Sequence, residues 1–321
     1  MAAPRSTLPH VAETALLTSL ALVAFASNSI LTRMALGSEL MDAATFTTAR
    51  LAAGALVLSV LVRLRGQPFS WSPPRGRALV GALALATYAA PFSFAYVRIG
   101  AAAGALLLFG AVQITMIGWG IVSGERPRAR TWLGLALAAA GLAWLTLPSV
   151  GARPDPIGSA LMVAAGCAWG VYSLAGKGAP NVLESNARSF IWALPATMFL
   201  NVIASSGARA SARGLLLAVI AGGVTSGLGY AIWYRALRGL TATTAAVLQL
   251  SVPVIAAGGA VALLDETLSA RLMVAAAAVI GGVSLVLSQR VRAARVPAPV
   301  DPHAATVTFD SSGGPPRDRS Q

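Results

Sequence analysis

The chain has 321 residues, of which 56% are hydrophobic and only 11% charged, and its formal net charge is +13. A soluble domain carries about 25% charged residues, and a water-soluble chain this poor in charge would expose apolar patches large enough to aggregate. The bilayer is therefore the expected solvent for its outer surface. The arginines do not cover one face, which argues against nucleic acid as a partner; they recur in short clusters between apolar runs, the pattern of cytoplasmic loops beside anionic lipid.

A spanning helix needs roughly 20 apolar residues. Residues 1–11 are too polar to bury a core and are predicted to be a disordered tail. The chain then reads as helices at 12–34, 44–62, 78–97, 101–121 and 131–148, a linker at 149–156, and helices at 157–176, 187–205, 214–234, 242–263 and 270–288. The first run is too long for a cleaved signal peptide. Pro68, Pro73, Pro74, Pro127, Pro154 and Pro156 fall between runs. The seventh run, which contains Pro195 and Asn201, is the weakest, and residues 291–321 are predicted to be a second disordered tail. With the N-terminus in the cytoplasm, most Lys and Arg near helix ends fall on the cytoplasmic side, including Arg63, Arg65, Arg75, Arg77, Arg126, Arg128 and Arg130. That bias predicts both termini inside a cell membrane. Cys167 stands alone, and His10 and His303 lie in the polar tails, so no disulfide, metal centre or His-based catalysis is expected.

Shifted by 141 residues, the chain aligns with itself: Ala95 falls on Ala236, Glu125 on Glu266, Arg130 on Arg271 and Gly141 on Gly282. A shift of 144 places Phe25, Ser29 and Arg33 on Trp169, Ser173 and Lys177. The repeats would span 12–148 and 157–290. An odd number of helices per repeat makes the second copy enter the membrane from the opposite side, an inverted architecture typical of secondary transporters.

The runs Phe25-Ala-Ser-Asn28-Ser, Gly166-Cys-Ala-Trp169-Gly-Val-Tyr172, and Leu250-Ser-Val-Pro253-Val followed by Leu264-Asp-Glu266-Thr resemble the EamA repeats of the drug/metabolite transporter superfamily. In the first half Val112 stands where Pro253 stands in the second. The resemblance implies an all-α fold of about ten transmembrane helices with a central cavity between the halves. It also implies efflux of small metabolites, often amino acids or related compounds.

The expected substrate-binding residues are Asn28, Arg50, Tyr88, Gln113, Trp169, Tyr172 and Gln249. Arg50 lies about seven residues into the second run. It either anchors a substrate carboxylate, or snorkels to the outer headgroups or pairs with Glu39 or Asp42. Asn28, Gln113 and Gln249 are deep amides that must bind substrate or clasp a neighbouring helix. Trp169 and Tyr172 share a helix face that the resemblance places inward; Tyr88, Phe92 and Tyr230 are further pocket aromatics, and Trp233 reads as interfacial belt. Pro91, Pro195 and Pro253 interrupt helices, as hinges or as fixed kinks. Glu125 and Glu266 read as caps on the helix that follows each, in preference to proton carriers.

These features point to a transporter that is not an enzyme. Its partners are a small-molecule substrate and membrane lipid; no cofactor is expected, and a homodimer is left open. An intramembrane enzyme would need acid, base or metal residues at membrane depth. A scaffold or sensor would need an appended soluble domain, and a channel a continuous polar stripe. Sugars, drugs and other organic solutes are the alternative cargoes.

Overall fold

The structure is a computed structural model that describes residues 8–99, 101–146, 155–204, 209–263 and 270–295. The acidic turn Asp265-Glu266, most of the linker between the halves, and the tails before Leu8 and after Arg295 lie outside these residues. The described chain is all-helical apart from one isolated bridge. Its helices are α1 (Leu8–Leu36), α2 (Ala43–Leu64), α3 (Arg77–Tyr96), α4 (Ala101–Val122), α5 (Ala129–Thr146), α6 (Pro156–Gly176), α7 (Val182–Ala204), α8 (Ala212–Leu237), α9 (242–263) and α10 (Ala270–Arg295). Eight of them are long and apolar enough to cross a membrane; Ala129–Leu145 in α5 is apolar but shorter. α7 carries Glu184 and Arg188, 3.6 Å apart, in its first turns. That polar opening is why hydropathy alone starts the helix at residue 187; the Asn181 side chain, accepting from the Glu184 amide at 3.2 Å, starts it earlier.

Other helix starts are also set by side-chain caps. Asp42, Ser211 and Thr241 accept from the amides of Thr45, Gly214 and Thr244 at 2.9–3.1 Å, and Asp155 accepts from Gly158. α9 is interrupted at Leu250, and Pro253 occupies the first turn of the segment Ser251–Leu263, where its missing N–H costs little. α4, with Val112 at the matching place, runs unbroken. α8 holds a π-helical stretch over Ala221–Leu228. There Gly222 brings α8 against the Arg50 carbonyl of α2, closer than any Cβ would allow. α5 and α10 meet at Gly134 and Gly282 in the same manner.

Exposed apolar side chains such as Leu56, Ile114, Phe199, Val202 and Ile280 cover the outside of the bundle, as a lipid solvent requires. Exposed Trp71, Trp119 and Trp132 stand at one end and Trp144 at the other, the placement of interfacial aromatic belts.

The helix contacts follow a rule. α3 packs on α6 as α1 packs on α8, α4 on α6 as α1 on α9, and α2 on α8 as α3 on α7. α2–α7, α4–α9 and α5–α10 also pair. Each of these contacts recurs when every helix is exchanged for the one five places along. At one end of the bundle Arg235 pairs with Glu13 at 2.6 Å, and Arg188 donates to the Ser72 carbonyl at 2.9 Å. Glu125 lies at the same end and accepts from the Ala242 and Thr243 amides at 2.6 and 3.0 Å. Glu125 therefore caps α9, in the other half of the chain, and not α5 as expected, because the loop turns at Gly124 with φ +90° and aims the carboxylate across the bundle. At the opposite end Asp42 accepts from the Arg209 amide at 2.9 Å, Leu40 and Ser211 pair through their backbones at 2.9 Å, and Arg98 lies 3.8 Å from Asp155. α1 thus starts at one end of the bundle and α6 at the other.

Candidate functional site

The helices converge on a small central cavity of about 30 Å³, lined by Phe25, Asn28, Tyr88, Phe92, Trp169 and Tyr230, with Ser29, Leu108, Phe109, Gln249 and Val252 completing its wall. That volume holds a water molecule or two, too little for a metabolite. The wall is a mesh of aromatic rings. Phe25 meets Trp169 edge-on at 5.1 Å, and Trp169 meets Tyr230 at 4.7 Å and Tyr88 at 5.0 Å. Such pairs add about 0.5–1.5 kcal/mol each beyond the area they bury.

Four of the seven expected residues line this cavity. Asn28 Oδ1 accepts from Thr225 Oγ1 and Ser226 Oγ, both at 3.3 Å, which ties α1 to the π-helical stretch of α8. A π-turn at this position fits the tendency of such turns to mark functional sites. The Tyr230 hydroxyl donates to the Tyr88 hydroxyl at 3.4 Å. Trp169 Nε1 donates to Gln249 Oε1 at 2.6 Å, and Gln249 Nε2 reaches Met116 Sδ at 3.2 Å.

The other three stand outside the lining. Gln113 donates from Nε2 to the Ala246 carbonyl at 2.8 Å and so clasps α4 to α9. Tyr172 is wholly buried; its hydroxyl donates to Asn186 Oδ1 at 2.5 Å, and its ring backs Trp169 and Tyr230. Arg50 is 1% exposed. It neither snorkels nor pairs with Glu39 or Asp42, since Glu39 meets Arg209 at 3.0 Å and Asp42 is taken up by the Thr45 and Arg209 amides. Its guanidinium carbon lies 5.9, 5.8 and 5.7 Å from the ring centroids of Phe46, Tyr88 and Phe92. Nε and Nη1 are buried and have no hydrogen-bond partner among the described residues. The three ring faces together return roughly 1.5–6 kcal/mol, against a burial cost of several kcal/mol for the charge, and they supply no acceptor for Nε or Nη1. Tyr88 and Phe92, two of the rings against its guanidinium, also line the cavity.

Trp233 is not in the interfacial belt. It is fully buried, donates from Nε1 to Ser173 Oγ at 3.1 Å and packs on Phe25 at 5.5 Å, because α8 turns this face toward α1 and α6. Several lining residues were not expected as site residues: Phe25, Ser29, Leu108, Phe109 and Val252, with Thr225 and Ser226 behind Asn28. The internal repeat held the signal for some of them. Phe25 and Trp169, aligned by the 144-residue shift, touch each other, and Tyr88 and Tyr230, 142 residues apart, share a hydrogen bond.

A bundle of apolar helices around a small aromatic cavity, with a buried cation behind its wall, defines a polytopic membrane protein. The chain belongs to the EamA-like transporter family of the drug/metabolite transporter superfamily; that family matches residues 156–288, the second half. The chain is also 48% identical over 284 residues to uncharacterized protein PA1977 of Pseudomonas aeruginosa, a match covering 88% of this chain and 97% of that protein. A solved crystal structure shares the fold with a TM-score of 0.72 at 20% identity, covering 87% of this chain and 98% of the other.

Proposed function

We propose that this protein is a secondary transporter that exports small metabolites, amino acids or related compounds, across a bacterial cytoplasmic membrane by alternating access around the central cavity. In this reading the halves are inverted repeats and both termini are cytoplasmic, at the end where Arg63, Arg65, Arg75, Arg77, Arg126, Arg128 and Arg130 cluster. The observation that carries it is the exchange rule of the helix contacts, together with the opposed starts of α1 and α6. Two halves that pack on each other by the same rule can trade conformations, so that opening one end is the counterpart of opening the other. In this reading the cavity, too small for a metabolite as it stands, widens as either end opens.

Both ends are held by bonds that can be exchanged: Arg235 with Glu13 and Glu125 with the start of α9 at one, Arg209 with Glu39 and Asp42 at the other. The two exposed ion pairs among them contribute about 0–1 kcal/mol each, a suitable scale for a gate. Asn28, Tyr88, Trp169 and Gln249 would contact the substrate, Arg50 would enter as the cavity opens, and Gln113 and Tyr172 would support the wall. The test is efflux from liposomes holding the purified protein and a mixed load of amino acids, organic acids, sugars and aromatic metabolites. Protein-dependent loss of one chemical class is expected; loss of no compound from liposomes containing folded protein contradicts the reading.

A further inference from the structure

We propose that Arg50 is the anion subsite of the central cavity and that the transported species is a small organic monoanion: one carboxylate on an apolar or aromatic body, not a zwitterion or an amine. This rests on the transporter reading above and narrows it. The first support is charge balance. Among the described residues the acidic side chains are Glu13, Glu39, Asp42, Glu125, Asp155 and Glu184, and all lie in loops or in the first turns of helices. Each is engaged there: with Arg235, Arg209, the Thr45 and Arg209 amides, the start of α9, Arg98, and Arg188 respectively. None is placed to neutralise Arg50, whose Nε and Nη1 are left without acceptors. Among the described residues Arg50 is therefore a buried positive charge with no counter-charge, and in a medium of low dielectric one negative charge neutralises it.

The second support is what the cavity lacks. A zwitterion would bring an ammonium that needs its own counter-charge or free acceptors. No carboxylate stands among the described lining residues, and the polar oxygens there are tied up within the wall: Gln249 Oε1 by Trp169, Asn28 Oδ1 by Thr225 and Ser226, the Tyr88 hydroxyl by Tyr230, and the Ser29 hydroxyl on the Phe25 carbonyl. The remaining lining includes Phe25, Leu108, Phe109 and Val252, which suits an apolar body. The third is position. Tyr88 and Phe92 lie against the guanidinium, 5.8 and 5.7 Å from its carbon, and both line the cavity, so Arg50 is one ring away from it. Guanidinium is the side chain best suited to a carboxylate, through charge-assisted hydrogen bonds.

The experiment is calorimetric titration of the purified full-length protein with matched ligand sets. 3-Phenylpropanoate, phenylalanine, phenethylamine and 3-phenylpropanamide form one set, and the corresponding compounds with a branched aliphatic body form the other. In at least one set the carboxylate should bind about ten- to hundredfold more tightly than its zwitterion, amine and amide. Arg50→Gln should remove that margin, and Arg50→Lys should retain part of it. The amide comparison uses the unsubstituted protein, so it holds even if Arg50→Gln does not fold. A zwitterion or amine that binds more tightly than its carboxylate, an amide that binds equally well, carboxylate affinity unchanged in Arg50→Gln, or no carboxylate binding in either set each overturns the proposal. In liposomes, flux of zwitterionic or neutral solutes that is indifferent to Arg50→Gln removes the anion subsite and leaves the transporter. Carboxylate binding without flux of any solute removes the transporter and leaves the anion subsite.

Discussion

The phenolic oxygens of Tyr88 and Tyr230 lie 3.4 Å apart, so that one hydrogen bond joins α3 of the first half to α8, its counterpart in the second, across the centre of the protein. Because each ring supplies one member of the bond, Tyr88→Phe and Tyr230→Phe should each slow exchange in liposomes by about two- to tenfold, the effect of roughly 0.5–1.5 kcal/mol. The double variant should be no slower than the worse single one. Additive losses would mean that the two hydroxyls act separately.

Trp169 and Gln249 are similarly coupled at 2.6 Å, joining α6 to α9 just before the break at Leu250. Trp169→Phe and Gln249→Leu each leave a buried polar atom without its partner, and each should lower thermal stability in detergent by about 1–3 kcal/mol. The pair should cost less than the sum of the two.

Close approach of backbones makes a sharper demand than side-chain chemistry. A Cβ on Gly222 would collide with the Arg50 carbonyl, whereas one on Gly110 would meet nothing within 4 Å. Gly222→Ala should destabilise the protein by about 1–3 kcal/mol through overpacking. Gly110→Ala should be neutral or slightly stabilising, since alanine suits a helix interior better by about 1 kcal/mol. Equal melting temperatures for the two variants would contradict the α2–α8 packing.

Glu125 links pH to the joint between the halves. Burial raises its pKa, but hydrogen bonds from Thr243 and from the Ala242 amide outweigh this, and the carboxyl ends below its ordinary value. A group with a lower pKa folded than unfolded adds stability above the unfolded value, about 4.3 for Glu, and loses it as the pH falls through the folded one. Thermal stability should therefore decline on acidification from about pH 5 to pH 3. Glu125→Gln should be less stable at neutral pH by about 0.5–2 kcal/mol, the usual cost of losing a cap, and should show a shallower decline.

Much of the fold was legible because bilayer thickness imposes a length on each apolar run and arginine clusters and prolines mark the turns. The ends were less so. α1 begins at Leu8 and α10 runs to Arg295, beyond the apolar stretches, since polar helical turns carry no hydropathy signal. Asn28, Tyr88, Trp169 and Gln249 were identifiable as polar or amphipathic groups at membrane depth. Gln113 has the same composition signal but faces α9, and no periodicity in a helix apolar on all sides distinguishes those directions. Trp233 shows the converse: near a helix end a buried tryptophan and a belt tryptophan read alike. The π-turn of α8, which offers Thr225 and Ser226 to Asn28, has no clear mark in the sequence beyond its glycines.

The most direct test of alternating access is thiol labelling at the cavity wall. Ser29 lines the cavity and cysteine is close to it in size; Cys167, the only native cysteine, is exposed and can be replaced by serine. In Ser29→Cys on that background, a membrane-impermeant reagent should label the introduced thiol both from outside intact cells and from the cytoplasmic face of inverted vesicles. An added cross-link between the loops at positions 39 and 209 should abolish labelling from outside and preserve it from the cytoplasmic face. Labelling from one face only, whatever the loops are doing, would contradict the account.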